Sequence, residues 1–186
     1  MSQTSQKNLA LECFSILEGE LLGLPVETNN SKEKVSLFVT WKKQLKNDMQ
    51  LRGCIGSFQP RELNYQLRHL AISSAFKDSR FSPIQLKEFN QLHCTVSLLE
   101  EFEVCEDHLD WIVGVHGISI SFDSYSACFL PQVPEENGWS RLETLERLIR
   151  KSGYAGNITS SLLHRLKVER FSSRLFHASY EEYSRL

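Results

Sequence analysis

The segment Met49-Gln50-Leu51-Arg52-Gly53-Cys54-Ile55-Gly56 has the composition of a strand, but two glycines interrupt it. It follows Val35–Lys42, which is rich in Val, Phe, Thr and Trp, and a polar turn at residues 46–48. Two such runs around a short turn predict a β-hairpin over residues 35–55. Glycine inside a strand costs entropy and packs nothing, so Gly53 and Gly56 predict a bulge, a bend or a close backbone approach.

Helical periodicity appears on both sides of this hairpin. Apolar side chains form one stripe over residues 8–22, and Gly23 then ends the predicted helix. Pro60 marks a position where the next helix can begin, and its apolar stripe continues to about Phe76. Ser140-Arg141-Leu142-Glu143 has the pattern of a capping box, which predicts a helix running to about Lys151.

Several further short segments alternate apolar and polar residues and are predicted strands. They are residues 94–99, 118–122, 127–130, 167–171 and 175–179, the last two predicted as a final strand pair. A short helix is expected around residues 84–89 and another at 180–184. Because strands and helices mix without a regular βαβ alternation, the sequence predicts an α+β fold with mainly antiparallel sheets.

Length and charge restrict the class of protein. The chain has 186 residues, enough for one domain or two subdomains with a shared core. The net charge of −2 argues against nucleic acid as the main partner, because proteins that track phosphates usually carry a basic excess. The N-terminus lacks an apolar signal-peptide core, and no apolar run approaches the roughly 20 residues that span a bilayer. We therefore expect a soluble cytoplasmic protein without a membrane partner, small enough for passive entry to the nucleus.

The cysteines predict a reducing compartment. There are five of them, an odd number, and no two have C-x-x-C spacing. This pattern argues against a disulfide framework and against a four-cysteine zinc site. No further ligands stand at workable spacing, so no metal site is predicted and the sequence identifies no cofactor.

Cys54 is the best candidate for a working residue, because it stands between the two glycines. A bend there would bring its thiol out of the pleat, and the exposed amides of residues 54–56 could bind an anion. Arg52 adjoins the site, although neighbouring strand residues point to opposite faces. The alternative is that Cys54 only fills space in the core, as buried cysteines often do.

Two other segments supply candidate companions for Cys54. His116 lies between glycines and could take the thiol proton to give a thiolate nucleophile, or it could simply bond within its own turn. Lys77-Asp78-Ser79-Arg80 could recognise a carboxylate or phosphate through Lys77 and Arg80. In the alternative interpretation, Lys77 neutralises a helix C-terminus and Asp78 pairs with Arg80.

The hexapeptide Leu51-Arg52-Gly53-Cys54-Ile55-Gly56 resembles the hallmark of the AMMECR domain family, named for an AMME-syndrome chromosomal-region candidate protein. Other blocks resemble that family in the same order from about residue 35 onward. They are residues 37–42, 74–81, 109–118, 129–133 and 148–154. An accidental match over so much of the chain is very improbable.

The resemblance implies two unequal α+β subdomains with a cleft between them and the hexapeptide near that cleft. We place the large subdomain at about 1–84 plus 151–186 and the small one at about 85–150, within a single AMMECR-type domain. The resemblance implies no settled activity. In prokaryotes such domains are associated with Memo-type and radical-SAM proteins, which hints at a shared pathway.

Three functions follow as hypotheses. The first is a ligand or substrate cleft around Cys54 whose activity is not assigned, or a protein-interaction module at the same place. The second is a thiol-dependent enzyme for a small anionic or acyl substrate, with Cys54 and His116 catalytic. In both, the substrate-binding candidates are Arg52, Gly53, Gly56, Lys77, Asp78 and Arg80. The third, nucleic-acid binding, ranks last on charge.

Overall fold

The computed structural model describes residues 8–26, 31–46 and 48–186. Its chain forms two compact units: the first contains the chain up to Leu98 and Arg174–Leu186, and the second is Leu99–Ser173. The sequence placed the subdomain limits elsewhere, near 84/85 and 150/151. Two strands, Leu92–Val104 (β3) and Lys167–Ser179 (β6), continue from one unit into the other. No linker or turn residue therefore marks the boundaries along the chain.

The first unit combines a sheet with two helices of fourteen residues. Its elements are α1 (Leu9–Leu22), β1 (Lys34–Leu45), β2 (Asp48–Glu62), α2 (Leu63–Phe76), a 3₁₀ helix (Leu86–Gln91), parts of β3 and β6, and α6 (Tyr180–Tyr183). The strand order is β2-β1-β3-β6, so β2 is an edge strand. Phe14 of α1 packs edge-on against Trp41 of β1 at a centroid distance of 5.2 Å, and both are fully buried.

The β1–β2 hairpin confirms the central sequence prediction, with one difference at its end. The two strands are antiparallel, and β2 continues through Pro60 to Glu62 before α2 begins at Leu63. The prediction that a helix begins at Pro60 was wrong. Pro60 falls where the register shifts between Val35 and Leu37, and an edge strand tolerates proline at such an irregularity.

The second unit continues the antiparallel pattern. Its elements are parts of β3 and β6, β4 (Gly117–Phe122), β5 (Tyr125–Phe129), α3 (Gln132–Glu136), α4 (Arg141–Lys151) and α5 (Ser160–Arg165). β4 lies between β6 and β5 and is antiparallel to both. The predicted capping box opens α4: Ser140 Oγ accepts from the Glu143 amide, and Glu143 accepts from the Ser140 amide. The core gathers around Trp111, Ile120, Leu145 and Leu148.

The predicted final strand pair is instead one continuous strand, β6. Ser172 and Ser173, which separate the two predicted segments, lie within it, and Ser172 Oγ donates to the Glu100 carbonyl. β6 pairs with β4 over residues 167–171 and neighbours β3 in the sheet, and these tertiary contacts override the weak local preference of two serines for a strand. Apart from this, the helices and the antiparallel sheet confirm the α+β class.

No helix among the described residues is both long enough and apolar enough to cross a membrane.

Candidate functional site

A β-bulge at Arg52 decides which side chains meet at the candidate site. From the turn to Lys42 the hairpin pairs regularly, with Lys42 opposite Leu51, but Trp41 is opposite Gly53. Arg52 is thus the extra residue, and the pairs from Trp41–Gly53 to Leu37–Ser57 are shifted by one. As a result, Cys54 faces Thr40, whereas an uninterrupted hairpin would have placed it opposite Val39.

The shifted register puts Cys54 on the outer face of the hairpin, away from the core. Leu37, Val39 and Trp41 are fully buried on the inner face, whereas Thr40 is partly exposed on the outer one. Cys54 is partly exposed as well. Thr40 Oγ1 donates a hydrogen bond to Cys54 Sγ at 3.1 Å. A hydroxyl that donates to sulfur stabilises its thiolate form more than its neutral form.

The two glycines are required for close packing on opposite faces. A Cβ at Gly53 would lie 1.8 Å from the Ser74 carbonyl oxygen of α2, so the helix backbone rests directly on β2. A Cβ at Gly56 would lie 2.1 Å from the ring of Phe38. The sequence left open a bulge, a bend or a close backbone approach at the two glycines. Gly53 and Gly56 allow close approach, and the bulge lies beside them at Arg52.

Asp78 and Arg80 hold the backbone of Cys54 from the open side of β2. The Cys54 amide donates to Asp78 Oδ2 at 2.9 Å, and Arg80 Nη2 donates to the Cys54 carbonyl at 3.3 Å. Both backbone groups of Cys54 therefore point away from β1. In an antiparallel ladder this makes Thr40 and Cys54 a non-hydrogen-bonded pair, the kind whose side chains come closest.

Asp78 and Arg80 also form an ion pair with two hydrogen bonds. Arg80 Nε and Nη2 donate to the two carboxylate oxygens of Asp78 at 2.9 and 2.7 Å. Asp78 is nearly buried, whereas the Arg80 side chain is 57% exposed. The Arg80 hydrogen bonds outweigh burial, and with the Cys54 and Arg80 amides they hold the pKa of Asp78 well below its usual range. The cation at this edge therefore stays at the surface while its counterion is inside.

Arg52 lies in a separate, buried network. Its Nε and Nη2 each donate to Glu88 at 3.1 Å, Nη2 also donates to the Ser82 carbonyl, and Lys43 reaches the same carboxylate at 3.1 Å. Burial raises the pKa of Glu88, but the hydrogen bonds from Arg52 and Lys43 outweigh it and hold the pKa at about 2. Among the described residues, the side-chain hydrogen bonds of Arg52 go to Glu88 and to the Ser82 carbonyl.

Lys77 and His116 are the remaining candidates. Lys77 follows the last residue of α2, and its side chain is exposed. His116 belongs to the second unit, where its Nδ1 accepts from the Ile112 amide at 3.0 Å. That bond commits the Nδ1 lone pair and leaves the proton of the neutral ring on Nε2. The structure thus shows His116 bonded within its own turn, and its pairing with Cys54 stays a prediction.

Sequence reasoning missed Thr40 and Glu88. Thr40 contacts the Cys54 thiol only because the bulge shifts the strand pairing. The extra residue of the bulge is Arg52, and arginine does not predict a bulge from sequence as glycine does. Glu88 lies 36 residues from Arg52, and its neighbours suggested only a short helix. A local clue existed in Gln85 and Glu88, which form a reciprocal cap at the start of the 3₁₀ helix.

Two cavities lie elsewhere on the molecule. One, of about 380 Å³, is lined by Pro60, Arg61 and Tyr65 among others, and one of about 520 Å³ lies beside α4. Neither is lined by Cys54. Among the described residues, no group of three or more His, Cys, Asp or Glu side chains is arranged to hold a metal ion.

These features define an α+β protein whose edge hairpin carries a glycine-flanked cysteine, with its backbone bonded to an Asp–Arg pair. The chain belongs to the AMMECR1 family, whose model matches residues 9–176. This confirms the resemblance found in the sequence.

Relatives extend from plants and fungi to archaea. An uncharacterized protein of Arabidopsis thaliana is 46% identical over 154 residues, which are 79% of this chain and 72% of that protein. One from Schizosaccharomyces pombe is 39% identical over 186 residues, covering 96% and 95%. The crystal structure of uncharacterized protein PH0010 from Pyrococcus horikoshii matches with a TM-score of 0.79 and 31% identity, covering 92% of this chain and 90% of that one.

Proposed function

We propose that the outer face of the β1–β2 hairpin is a ligand-binding site, which we call the Cys54 site. Its polar groups are the Cys54 thiol, the Thr40 hydroxyl and the Arg80 guanidinium. The observation that carries the proposal is the 3.1 Å contact between Thr40 Oγ1 and Cys54 Sγ, on a strand whose backbone is bonded to Asp78 and Arg80. A site fixed in advance loses little entropy when a ligand binds.

The surroundings of Cys54 fit a small organic anion. Phe38 and Phe58 pack edge to face at 5.5 Å, and both are partly exposed. Arg80 lies 5.2 Å from the ring of Phe81 while its charge faces solvent. Ligand sites typically combine apolar walls with a few fixed polar groups, and arginine is suited to carboxylates and phosphates.

Amide chemical shifts in a titration with acetate, citrate and inorganic phosphate test this proposal. We expect saturable shifts at Cys54 and Arg80 with at least one anion, and about tenfold weaker binding in Arg80→Gln. Arg185→Gln, which removes an exposed arginine elsewhere in the first unit, is the matched control and keeps wild-type affinity. If no anion causes amide shifts, or if Arg80→Gln and Arg185→Gln lose the same affinity, the proposal that the Cys54 site binds an anion is wrong.

A thiol-dependent enzyme is the second candidate, favoured by the hydroxyl that donates to sulfur. In that case Cys54 Sγ gives its proton to solvent and attacks an acyl carbonyl, and the leaving group departs with the bonding electrons. Water later hydrolyses the thioester to a carboxylate and the free thiol. With p-nitrophenyl acetate as probe, Cys54 gains an acetyl group and p-nitrophenolate is released. Catalysis predicts turnover that Cys54→Ser abolishes, whereas a binding module predicts unchanged anion affinity in Cys54→Ser and no turnover.

A protein segment is the other occupant that the Cys54 site fits, through the same aromatic rings. The association of such domains with Memo-type and radical-SAM proteins belongs to this alternative. We expect the site to work in the cytoplasm, with access to the nucleus. Titration with a purified Memo-type protein, followed at the Cys54 amide, separates a protein partner from a small anion.

A further inference from the structure

The basic end of α4 lines the cavity of about 520 Å³ in the second unit. Arg147, Arg150 and Lys151 supply three positive charges to its wall, Glu143 and Glu146 two negative ones, and Trp139 and Ile158 are its aromatic and aliphatic residues. Cations at a helix C-terminus are often a solvated face whose charge is favourable for the helix dipole. The structure shows side chains held in place around a concave surface.

Two of the cations are fixed by carbonyl groups. Arg150 Nη1 donates to the carbonyls of Tyr154 and Gly156 at 3.0 and 2.7 Å, and Lys151 Nζ donates to the Cys128 carbonyl at 2.8 Å. Carbonyl oxygens satisfy these donors without neutralising their charge. The positive charges at the wall are therefore ordered and only partly compensated.

Arg147 differs from both of these cations. Its Cζ atom lies 4.3 Å from the centroid of the Trp139 ring. The ring of Trp139 in turn packs against that of Phe129, with the two centroids 5.6 Å apart. Among the described residues, Arg147 makes no hydrogen bond and no ion pair within 4 Å, although its charge helps to lower the pKa of Glu143, one turn earlier on α4. Stacking thus orients a fork of N–H donors at the cavity without supplying an acceptor for it.

The two carboxylates in the wall play unequal parts. Glu143 caps α4 by accepting from the Ser140 amide at 2.9 Å, so its charge is partly used there. Glu146 lies one turn before Arg150 on the exposed side of α4. Its charge opposes an anion and limits how strongly the cavity holds one.

We propose that this cavity binds an organic anion, a phosphate or carboxylate carried on a flat apolar group. Arg147 receives the anion through its free donors, Arg150 and Lys151 add positive potential, and Trp139 with Ile158 contacts the apolar group. The site lies in the second unit and shares no residue with the Cys54 site, so either proposal can fail alone.

Quenching of tryptophan fluorescence by phenyl phosphate tests this inference, because Trp41 and Trp111 are buried and Trp139 lines the cavity. We expect saturable quenching that weakens about tenfold or more in Arg147→Gln. Arg165→Gln removes an equally charged, exposed residue of the same unit and should stay within twofold of wild type. Glu146→Gln should bind several-fold more tightly.

Three further probes separate the parts of the proposal. Benzoate should bind as phenyl phosphate does, inorganic phosphate more weakly, and benzylamine not at all. Unsaturable quenching, equal affinity in Arg147→Gln and wild type, or binding of benzylamine would overturn the site. Equal affinity for inorganic phosphate and phenyl phosphate would overturn the role of the apolar wall.

Discussion

Arg52 and Arg80 each pair with a carboxylate, Arg52 with Glu88 and Arg80 with Asp78, but the surroundings of the two pairs differ. The Arg52 side chain is 9% exposed, and its partner Glu88 also binds Lys43 and the amide of Gln85. The Arg80 side chain is 57% exposed, and its partner Asp78 also binds the amide of Cys54. The Arg52–Glu88 pair is therefore buried. In the Asp78–Arg80 pair, Asp78 is buried and Arg80 is at the surface beside Cys54.

The difference separates a structural role from a functional one. A buried ion pair contributes little net stability relative to apolar packing, but it is costly to break because one charge remains without its partner. An exposed arginine contributes less to stability and keeps its charge available to a ligand. The comparison therefore predicts that Arg52 matters for folding, whereas Arg80 matters for the Cys54 site.

The largest effect is expected from Gly53→Ala, which tests the strand that contains Arg52 and whose Cys54 carbonyl accepts from Arg80. The new Cβ would lie 1.8 Å from a backbone oxygen of α2, so β2 and α2 must separate. We expect a loss of more than about 4 kcal/mol in the free energy of unfolding, or no folded protein. Urea denaturation measures it. Gly56→Ala meets a ring that can rotate and should cost less; equal costs would contradict the close contact with the helix.

Arg52→Met comes next. It leaves the buried Glu88 with Lys43 as its remaining cationic partner, and breaking a buried pair in this way costs about 3–4 kcal/mol. The double variant Arg52→Met/Glu88→Met should recover much of that loss in the same denaturation experiment. A double variant that is no more stable than Arg52→Met would show that the two side chains are not coupled.

The third effect is a dependence of stability on pH. Glu88 has a pKa of about 2 in the folded protein and an ordinary value of 4.5, so its stabilisation is complete above pH 4.5 and is lost as pH falls toward 2. The full span corresponds to about 3 kcal/mol. Asp78 acts in the same direction.

Denaturation midpoints between pH 6 and pH 2 in Glu88→Gln measure this contribution. The variant should lose less stability than wild type over that range, whereas the exposed Glu20→Gln should behave like wild type. Parallel curves for Glu88→Gln and wild type would contradict the lowered pKa.

Arg80→Gln should have the smallest effect on stability. Asp78 keeps the amides of Cys54 and Arg80 as donors, so we expect a loss of about 1–2 kcal/mol, less than for Arg52→Met. A rise in the pKa of Asp78, followed by NMR, should accompany it. A larger loss for Arg80 than for Arg52 would reverse the comparison.

Much of the fold follows from local sequence patterns, and the contacts of the site do not. The hairpin, α2 and the capping box of α4 depend on alternation, periodicity and short-range hydrogen bonds, so the sequence predicts them. The bulge at Arg52, the Glu88 partner and the continuity of β6 through Ser172 depend on residues distant in sequence. Position 54 was identified, but its neighbour Thr40 was not, because one inserted residue changes every later pair.

The contact between Thr40 and Cys54 is tested most directly by the rate at which iodoacetamide alkylates Cys54 at pH 7, followed by peptide mass spectrometry. Thr40→Val keeps the shape and removes the donor to sulfur, so the rate should fall about twofold to tenfold. Ser57→Ala removes a hydroxyl of β2 that donates to the Gln59 carbonyl and not to Cys54, and should leave the rate unchanged. An equal rate in Thr40→Val and wild type would contradict the claim that the Thr40 hydroxyl stabilises the Cys54 thiolate.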